Sequence, residues 1–323
     1  MTQNPPNGAG EAKLQRRSIS MLIPVYNADC SALVADLLGQ AAKLEGVEWE
    51  LSVAEDGSTD TGAIAANAAR LQGAHCRHLV YDQNEGRARI RNRLAREARG
   101  EWLLFIDSHM RVGKADFLRT YLSAPDAEVV DGDYVVVADA AEWGCSLRYR
   151  YEKACEHRHD VAARRKEPYA GFHTANFLVR RDFFLQHPLE ESFSEYGYED
   201  VLFGARLEQL GARILHIDNP VEFRFFEANS RFMDKTDAAL RSLALHEDPL
   251  GRHSRLLTLY SHMRKWHLHQ LGAALFRWRG KPWRQRLCME NRRPSLRLFN
   301  AYRIFCFCFC AQKQKKKKMK NER

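Results

Sequence analysis

The 323-residue chain lacks an unbroken apolar run of the roughly 18 residues that a membrane span requires. Met1 to Arg17 lack the apolar centre of a secretory signal, so the expected location is the cytoplasm. No C-x-x-C pair occurs among the eight cysteines (Cys30, Cys76, Cys145, Cys155, Cys288, Cys306, Cys308 and Cys310), and reduced thiols are expected. The alternating stretch CFCFC at Cys306 to Cys310 could hold a soft metal or a lipid, but a small apolar patch is the preferred reading. No G-x-G-x-x-G stands between the first strand and helix, where the chain reads PVYNADCSAL, and this excludes a dinucleotide fingerprint. The absence of G-x-x-x-x-G-K-[ST] likewise excludes a P-loop. Zinc spacings and recognisable RNA motifs are missing too, so no nucleic-acid partner is expected. Finally, acid is scarce at one end: residues 251–323 carry 20 Lys/Arg against 2 Asp/Glu, leaving 30 against 39 in residues 1–250. A mildly acidic body carries a basic tail, which calls for an anionic partner unless it is simply solvated.

What is present is an alternation of short apolar runs with helical patterns. Strands are expected at Ser18 to Tyr26, Trp49 to Ala54, Cys76 to Tyr81, Trp102 to Ile106, Glu128 to Val137, Ala175 to Val179 and Arg213 to Ile217. Helices are expected through Leu33, Leu37, Leu38 and Ala41, then at Thr61 to Leu71, Arg87 to Arg99, Cys145 to Ala163 and Val201 to Leu210, the last closed by Gly211. Continuously apolar strands between helices predict an α/β fold with a mostly parallel sheet covered on both faces. Ligands of such sheets bind beyond the carboxyl ends of the strands. Asn27, Glu55-Asp56 and Asp107-Ser108-His109 all stand there.

Acidic strand ends that receive an anionic ligand need a metal between them. Residues two apart on a strand project to one face, so Asp107 and His109 are expected to reach one ion while Ser108 points away. The alternative is an aspartate capping the following turn. Glu199-Asp200 in YGYED reads by itself first as an acidic pair at the start of the helix from Val201, with a general base the other reading.

Five stretches in order, IPVYN (Ile23 to Asn27), EDGSTD (Glu55 to Asp60), NEGRARIRN (Asn84 to Asn92), GEWLLFIDSH (Gly100 to His109) and YGYEDVLFGARLEQLG (Tyr196 to Gly211), resemble the glycosyltransferase family 2 enzymes with a GT-A fold. The resemblance covers roughly residues 18–235. It implies an inverting transfer of a hexosyl or N-acetylhexosaminyl group from a nucleotide diphosphate sugar, with a UDP-sugar expected, to a glycan or lipid-linked acceptor. Tyr26 and Asp56 would hold the base, with Pro24, Asn27, Arg87 and Ser108 completing the nucleotide site. Asp200 would be the base, with Glu199 beside it, and Thr174 and Asn176 would line the acceptor or donor-sugar pocket. The family's metal motif is usually D-x-D; the D-S-H here resembles that of the polypeptide N-acetylgalactosaminyltransferases, in which the histidine is a metal ligand. An imidazole in place of a carboxylate favours Mn²⁺ over Mg²⁺. A histidine often found after the strand following the base-bearing helix is replaced in HIDNPVEF, and Glu222 is expected as the third ligand, with the earlier His216 an alternative. If neither reaches the ion, a catalytically impaired glycan- or nucleotide-binding scaffold becomes the rival reading.

The domain plan expected is a disordered leader at 1–17, the GT-A domain at 18–245, a basic amphipathic helical extension at 246–311 and a disordered polybasic tail at 312–323. Trp266, Phe276, Trp278 and Trp283 among basic residues suit an anionic membrane surface, which would make the protein peripheral on the inner face of the membrane; packing on the domain is the alternative. The Q-x-x-R-W signature of processive synthases is absent, so a non-processive enzyme is expected.

Overall fold

The computed structural model describes residues 14–191, 197–245 and 254–321, with side chains described as far as 315. Ten strands are present among them: β1 Ser18–Val25, β2 Glu48–Asp56, β3 Cys76–Tyr81, β4 Trp102–Ile106, β5 Met110–Arg111, β6 Val129–Asp131, β7 Tyr134–Val136, β8 Asn176–Arg180, β9 Ile214–His216 and β10 Val221–Phe223. Seven form the central sheet in the order β3-β2-β1-β4-β8-β6-β9. The pairs β3-β2, β2-β1, β1-β4 and β6-β9 are parallel, and only β8 runs antiparallel to its two neighbours. A small second sheet, β5-β10-β7, stands beside it.

Side-chain alternation explains why the central strands read as unbroken apolar runs. In β1, Ile19, Met21, Ile23 and Val25 pack on one face with helices Ser31–Ala41 and Phe117–Ser123, while Leu22 faces the other. In β4, Trp102, Leu104 and Ile106 join the first face, and Leu103 and Phe105 join the second. That second face is covered by helices Arg87–Glu97, Arg181–Gln186 and Glu199–Gln209. With both faces buried there is no polar side to show in the sequence.

Several expectations are corrected. The leader expected to reach residue 17 is anchored from Leu14, which packs on the first core. Arg16 is buried, donates to the carbonyls of Tyr121 (3.0 Å), Ala124 and Pro125 (3.0 Å), and places its guanidinium 4.1 Å from the Trp102 ring centroid. Residues 1–13 lie outside the described residues. The strand expected over Glu128 to Val137 divides between two sheets at Gly132 and Asp133, because Asp133 takes φ 58° and a Cβ at Gly132 would meet Tyr121 Oη at 2.3 Å. The helix expected over Cys145 to Ala163 is interrupted: Leu147–Cys155 gives way to a short turn, and Asp160 caps a new helix, Val161–Lys166, by accepting from Ala162 N.

The C-terminal helices, Arg255–Lys265, Leu268–Leu287 and Leu296–Asn321, build a third core together with Asn229–Leu245. Phe232, Met233, Leu240 and Leu243 of that last helix face Phe299, Phe307 and the buried Cys308, so by packing it joins the extension rather than the preceding domain. Leu147 belongs to the same cluster, and Asn229 ties it in by accepting from Leu147 N and donating to the carbonyls of Cys145 and Met289. Cys306 and Cys308 are buried apolar groups in this core. The tail expected to be disordered from 312 continues as helix to Asn321, since Ala, Gln and Lys are strong helix formers and no Gly or Pro intervenes. No helix among the described residues is long and apolar enough to cross a membrane.

Candidate active site

The carboxyl ends of β1, β2 and β4 open into a cleft of about 620 Å³. Pro24, Tyr26, Asn27, Asp56, Arg87 and Ser108 line it, and so do Asp107, His109, Thr174, Glu199 and Asp200. The structure thus brings together all but two of the thirteen residues to which the resemblance assigns a role, while Glu55 and His216 lie outside the cleft. Tyr26 is half exposed at its edge. Asn27 sits at φ 49°, and its Oδ1 accepts from the backbone N–H groups of Thr59 (2.7 Å) and Asp60 (3.0 Å), so it fastens the end of β1 to the loop after β2. Asp56 fastens that strand end to the next loop: its two oxygens accept from Glu85 N (2.8 Å) and Gly86 N (3.0 Å). Burial pushes the Asp56 carboxyl up from the ordinary carboxylate value, opposed by those two hydrogen bonds.

Gly86 then starts helix Arg87–Glu97, which carries two cations to the end of β4. Arg87 donates through Nη2 to Asp107 Oδ2 (3.0 Å) and forms an ion pair through Nε with Glu199 Oε1 (3.1 Å), bridging the two acidic motifs. Arg91, almost wholly buried, pairs with Asp107 Oδ1 and donates to the Arg87 carbonyl. Burial would raise the Asp107 carboxyl, but Arg87, Arg91 and His109 outweigh it and hold it below the ordinary value.

Strand β4 ends at Ile106, and the Met110 N–H donates to the Asp107 carbonyl (3.1 Å), closing a turn. The two-residue alternation expected to align Asp107 with His109 therefore does not operate, and Ser108 lines the cleft with both of them. His109 is exposed to the cleft, its ring 5.1 Å from that of Phe223. Desolvation within the cleft, then Arg148, Arg87 and Lys235, push the imidazole down to about 4 against the pull of Asp107.

Two residues are elsewhere. Asn176 is fully buried, donating to the Asp133 and Asn219 carbonyls and accepting from Tyr121 Oη (2.8 Å); it staples β8 to the strand crossover instead of facing the pocket. Glu222 alternates with Phe223 along β10, and because Phe223 faces the cleft, Glu222 faces away, toward Gly113 and Arg224. His216 does not replace it, for its ring is buried between Asp131 Oδ2 (2.8 Å) and the Pro168 carbonyl (2.9 Å).

At the first turn of helix Glu199–Gln209, after Tyr198 in the left-handed region, Asp200 Oδ1 accepts from Val201 N (2.8 Å) and Oδ2 lies 3.6 Å from His173 Nδ1. Burial would raise Asp200, but the hydrogen bond and charge of His173, with Arg87, hold its carboxyl below the ordinary value. For His173 burial is likewise outweighed, by Asp200 and Asp133, and its pKa is pushed up to about 9.

Two sets of side chains offer donor atoms to a divalent ion. Donor atoms of Asp133, His159 and His173 lie within 4.8 Å of one another, a spacing that could hold one. Yet Asp133 Oδ2 is already hydrogen-bonded to His159 Nδ1 (2.8 Å) and ion-paired with Arg164 (Nε at 3.3 Å), and Oδ1 accepts from Tyr134 N (2.8 Å). The guanidinium supplies there the positive charge that an ion would bring. Asp107 and His109 are the second set: a carboxylate and an imidazole on the cleft wall form a mixed oxygen and nitrogen donor set of the kind that suits a transition ion, with both Asp107 oxygens already paired to Arg87 and Arg91.

Arg91, His173, Glu227, Arg231 and Lys235 also line the cleft, and the motifs in the sequence assign none of them a role there. Arg231 and Lys235 stand four apart on one helix face, a spacing visible in the sequence. Their approach to β4 is not.

The family model for glycosyl transferase family 2 matches residues 20–185, more than half of the chain. The chain belongs to glycosyl transferase family 2. Among family relatives, glycosyltransferase GlyG of Streptococcus pneumoniae serotype 4 is 26% identical over 118 residues, which is 36% of this chain; the match spans only 38% of that relative's length. Among solved structures, the mannosyltransferase PcManGT from Pyrobaculum calidifontis, in complex with GDP-Man and Mn²⁺, superposes with a TM-score of 0.52 over 97% of this chain and 90% of its own, at 13% identity. That likeness is one of fold, and the fold is the GT-A arrangement of a mostly parallel sheet flanked by helices.

Proposed function

We propose that this family 2 glycosyltransferase moves a hexosyl or N-acetylhexosaminyl group from a nucleotide diphosphate donor, a UDP-sugar, to a glycan or lipid-linked acceptor, one residue at a time and with inversion at the anomeric carbon. The observation that carries the reading is the convergence of Tyr26, Asp56, Arg87, Asp107, His109 and Asp200 on one cleft from separate strands and helices. Tyr26 stacks on the base, Asp56 sets the loop it rests on, and Arg87, Arg231 and Lys235 attract the diphosphate. Asp107 and His109 would hold a divalent ion, Mn²⁺ rather than Mg²⁺, which when bound neutralises charge on the departing diphosphate. Asp200, ionised at neutral pH, takes the proton of the acceptor hydroxyl. The acceptor oxygen then bonds to the anomeric carbon as the bond from that carbon to the diphosphate oxygen breaks, and the electron pair leaves with the nucleotide diphosphate. Thr174 borders the sugar, and Glu199 keeps Arg87 in place.

The test is release of nucleotide from a panel of nucleotide sugars with Mn²⁺, with Mg²⁺ and with chelator. Metal-stimulated release from a UDP-sugar supports the reading. No release from any donor, with retained nucleotide binding, supports the impaired scaffold instead. One observation favours that rival: both oxygens of Asp107 are already engaged by arginines, so an ion must share or displace Arg87 or Arg91.

A further inference from the structure

Away from the cleft, five large apolar side chains left exposed lie close together in the chain: Leu259, Trp266, Leu268, Leu271 and Trp278. Trp266 is 77% exposed, Leu271 68% and Trp278 69%, values far above those of the core. Trp266 ends helix Arg255–Lys265, His267 turns the chain at φ 56°, and Leu268 begins helix Leu268–Leu287. Leu271 and Trp278 are two helical turns apart and share a face. The opposite face is spent on packing, because Gly272 and Ala273 are buried and a Cβ at Gly272 would meet Phe305 at 2.9 Å and Cys308 Sγ at 3.3 Å. Arg264, Lys265, Arg277, Arg279 and Lys281 flank the apolar face, and no Asp or Glu occurs between Ser254 and Met289.

We propose that this helical corner seats in the headgroup region of an anionic phospholipid membrane, with Trp266, Leu271 and Trp278 entering the acyl boundary. A lipid surface alone offers hydrocarbon and negative charge at adjacent depths, and tryptophan is suited to that boundary. A second copy would set the same cations face to face, and a nucleic acid would leave Leu268 and Leu271 without apolar cover. The corner stands apart from the cleft chemistry, so membrane binding and nucleotide release are measured independently.

The experiment is sedimentation of the full chain with vesicles of phosphatidylcholine alone or mixed equally with phosphatidylglycerol, alongside tryptophan fluorescence. The expected result is salt-sensitive binding to the mixed vesicles with a blue shift. The combined substitutions Trp266→Ser, Leu271→Ser and Trp278→Ser should lower partitioning about tenfold or more. They should leave nucleotide release with a soluble acceptor unchanged, which also certifies folding. A second full-length variant with Lys315→Gln, Lys316→Gln, Lys317→Gln and Lys318→Gln should bind more weakly yet keep the blue shift. Equal partitioning of the triple variant and the parent would overturn the proposal, as would binding lost wholly with the lysines. Self-association abolished by the triple variant, without vesicle binding, would assign the face to a second copy instead.

Discussion

Replacing Gly57 with alanine tests how the cleft's base-binding side is built. Gly57 follows Asp56 at φ +67°, and a Cβ there would lie 2.3 Å from Asn84 N and 2.5 Å from the Gln83 carbonyl carbon. The left-handed conformation costs an alanine about 1–2 kcal/mol, and forcing a methyl into packed backbone costs about 1–3 kcal/mol more. Neither obstacle is the end of a flexible side chain. The loop they belong to is pinned by Asp56 through Glu85 N and Gly86 N, at 2.8 and 3.0 Å, so moving it strains those bonds. Gly57→Ala should therefore destabilise by roughly 2–5 kcal/mol in urea unfolding and weaken nucleotide binding, because the same loop starts the helix of Arg87. Gly57→Asn separates the two contributions: asparagine tolerates the backbone conformation but carries the same Cβ, so it should still lose about 1–3 kcal/mol. An alanine variant within about 0.5 kcal/mol of the parent would refute the reasoning, since neither strain nor collision would then be felt.

Asp200→Asn should lower turnover about a hundredfold or more while leaving donor binding intact; equal turnover, read by nucleotide release, would remove Asp200 as the base. His173→Asn removes a cation that holds Asp200 down, so the acid limb of the kcat/KM profile should move to higher pH. The pKa of His173 is raised from 6.5 to about 9 by folding, so its contribution to stability is fully present below 6.5 and fades as pH rises through about 9; the Asn variant should flatten that fall in thermal unfolding. Glu222→Gln should leave the Mn²⁺ dependence of nucleotide release unchanged, whereas Asp107→Ala should abolish it. Arg91→Met, which leaves Asp107 with Arg87 alone, should cost about 3 kcal/mol in chemical denaturation.

Much of the site was legible because strand ends are marked in the chain. An apolar run that stops at Asn27, Asp56 or Asp107 names both its strand and its edge, and a parallel sheet collects such edges on one side. Glu222 and Asn176 were misplaced for a different reason. Asn176 opens β8 and Glu222 is the middle residue of the three-residue β10; in each a single-residue change of phase reverses the direction of the side chain, and the phase is set by the partner strand. Asp107 and His109 show the converse, for their common exposure to the cleft comes from a turn closed by Met110 rather than from alternation. Arg91 and His173 carried no separate signal, since an arginine on an arginine-rich helix and a lone histidine acquire meaning only from the carboxylates that fold against them.

By itself the sequence determined the class of fold, the order of the strands that bear the motifs and the basic character of the C-terminal helices, because hydrophobic period and motif order are local properties. Tertiary structure alone decided that Arg87 joins Asp107 to Glu199, that His173 leans on Asp200, that Glu222 turns away, and that the extension packs one face into a core while leaving Trp266 and Trp278 outside. Those outcomes depend on contacts between residues distant in the chain, whose charges and surfaces meet only when the sheet and its helices close.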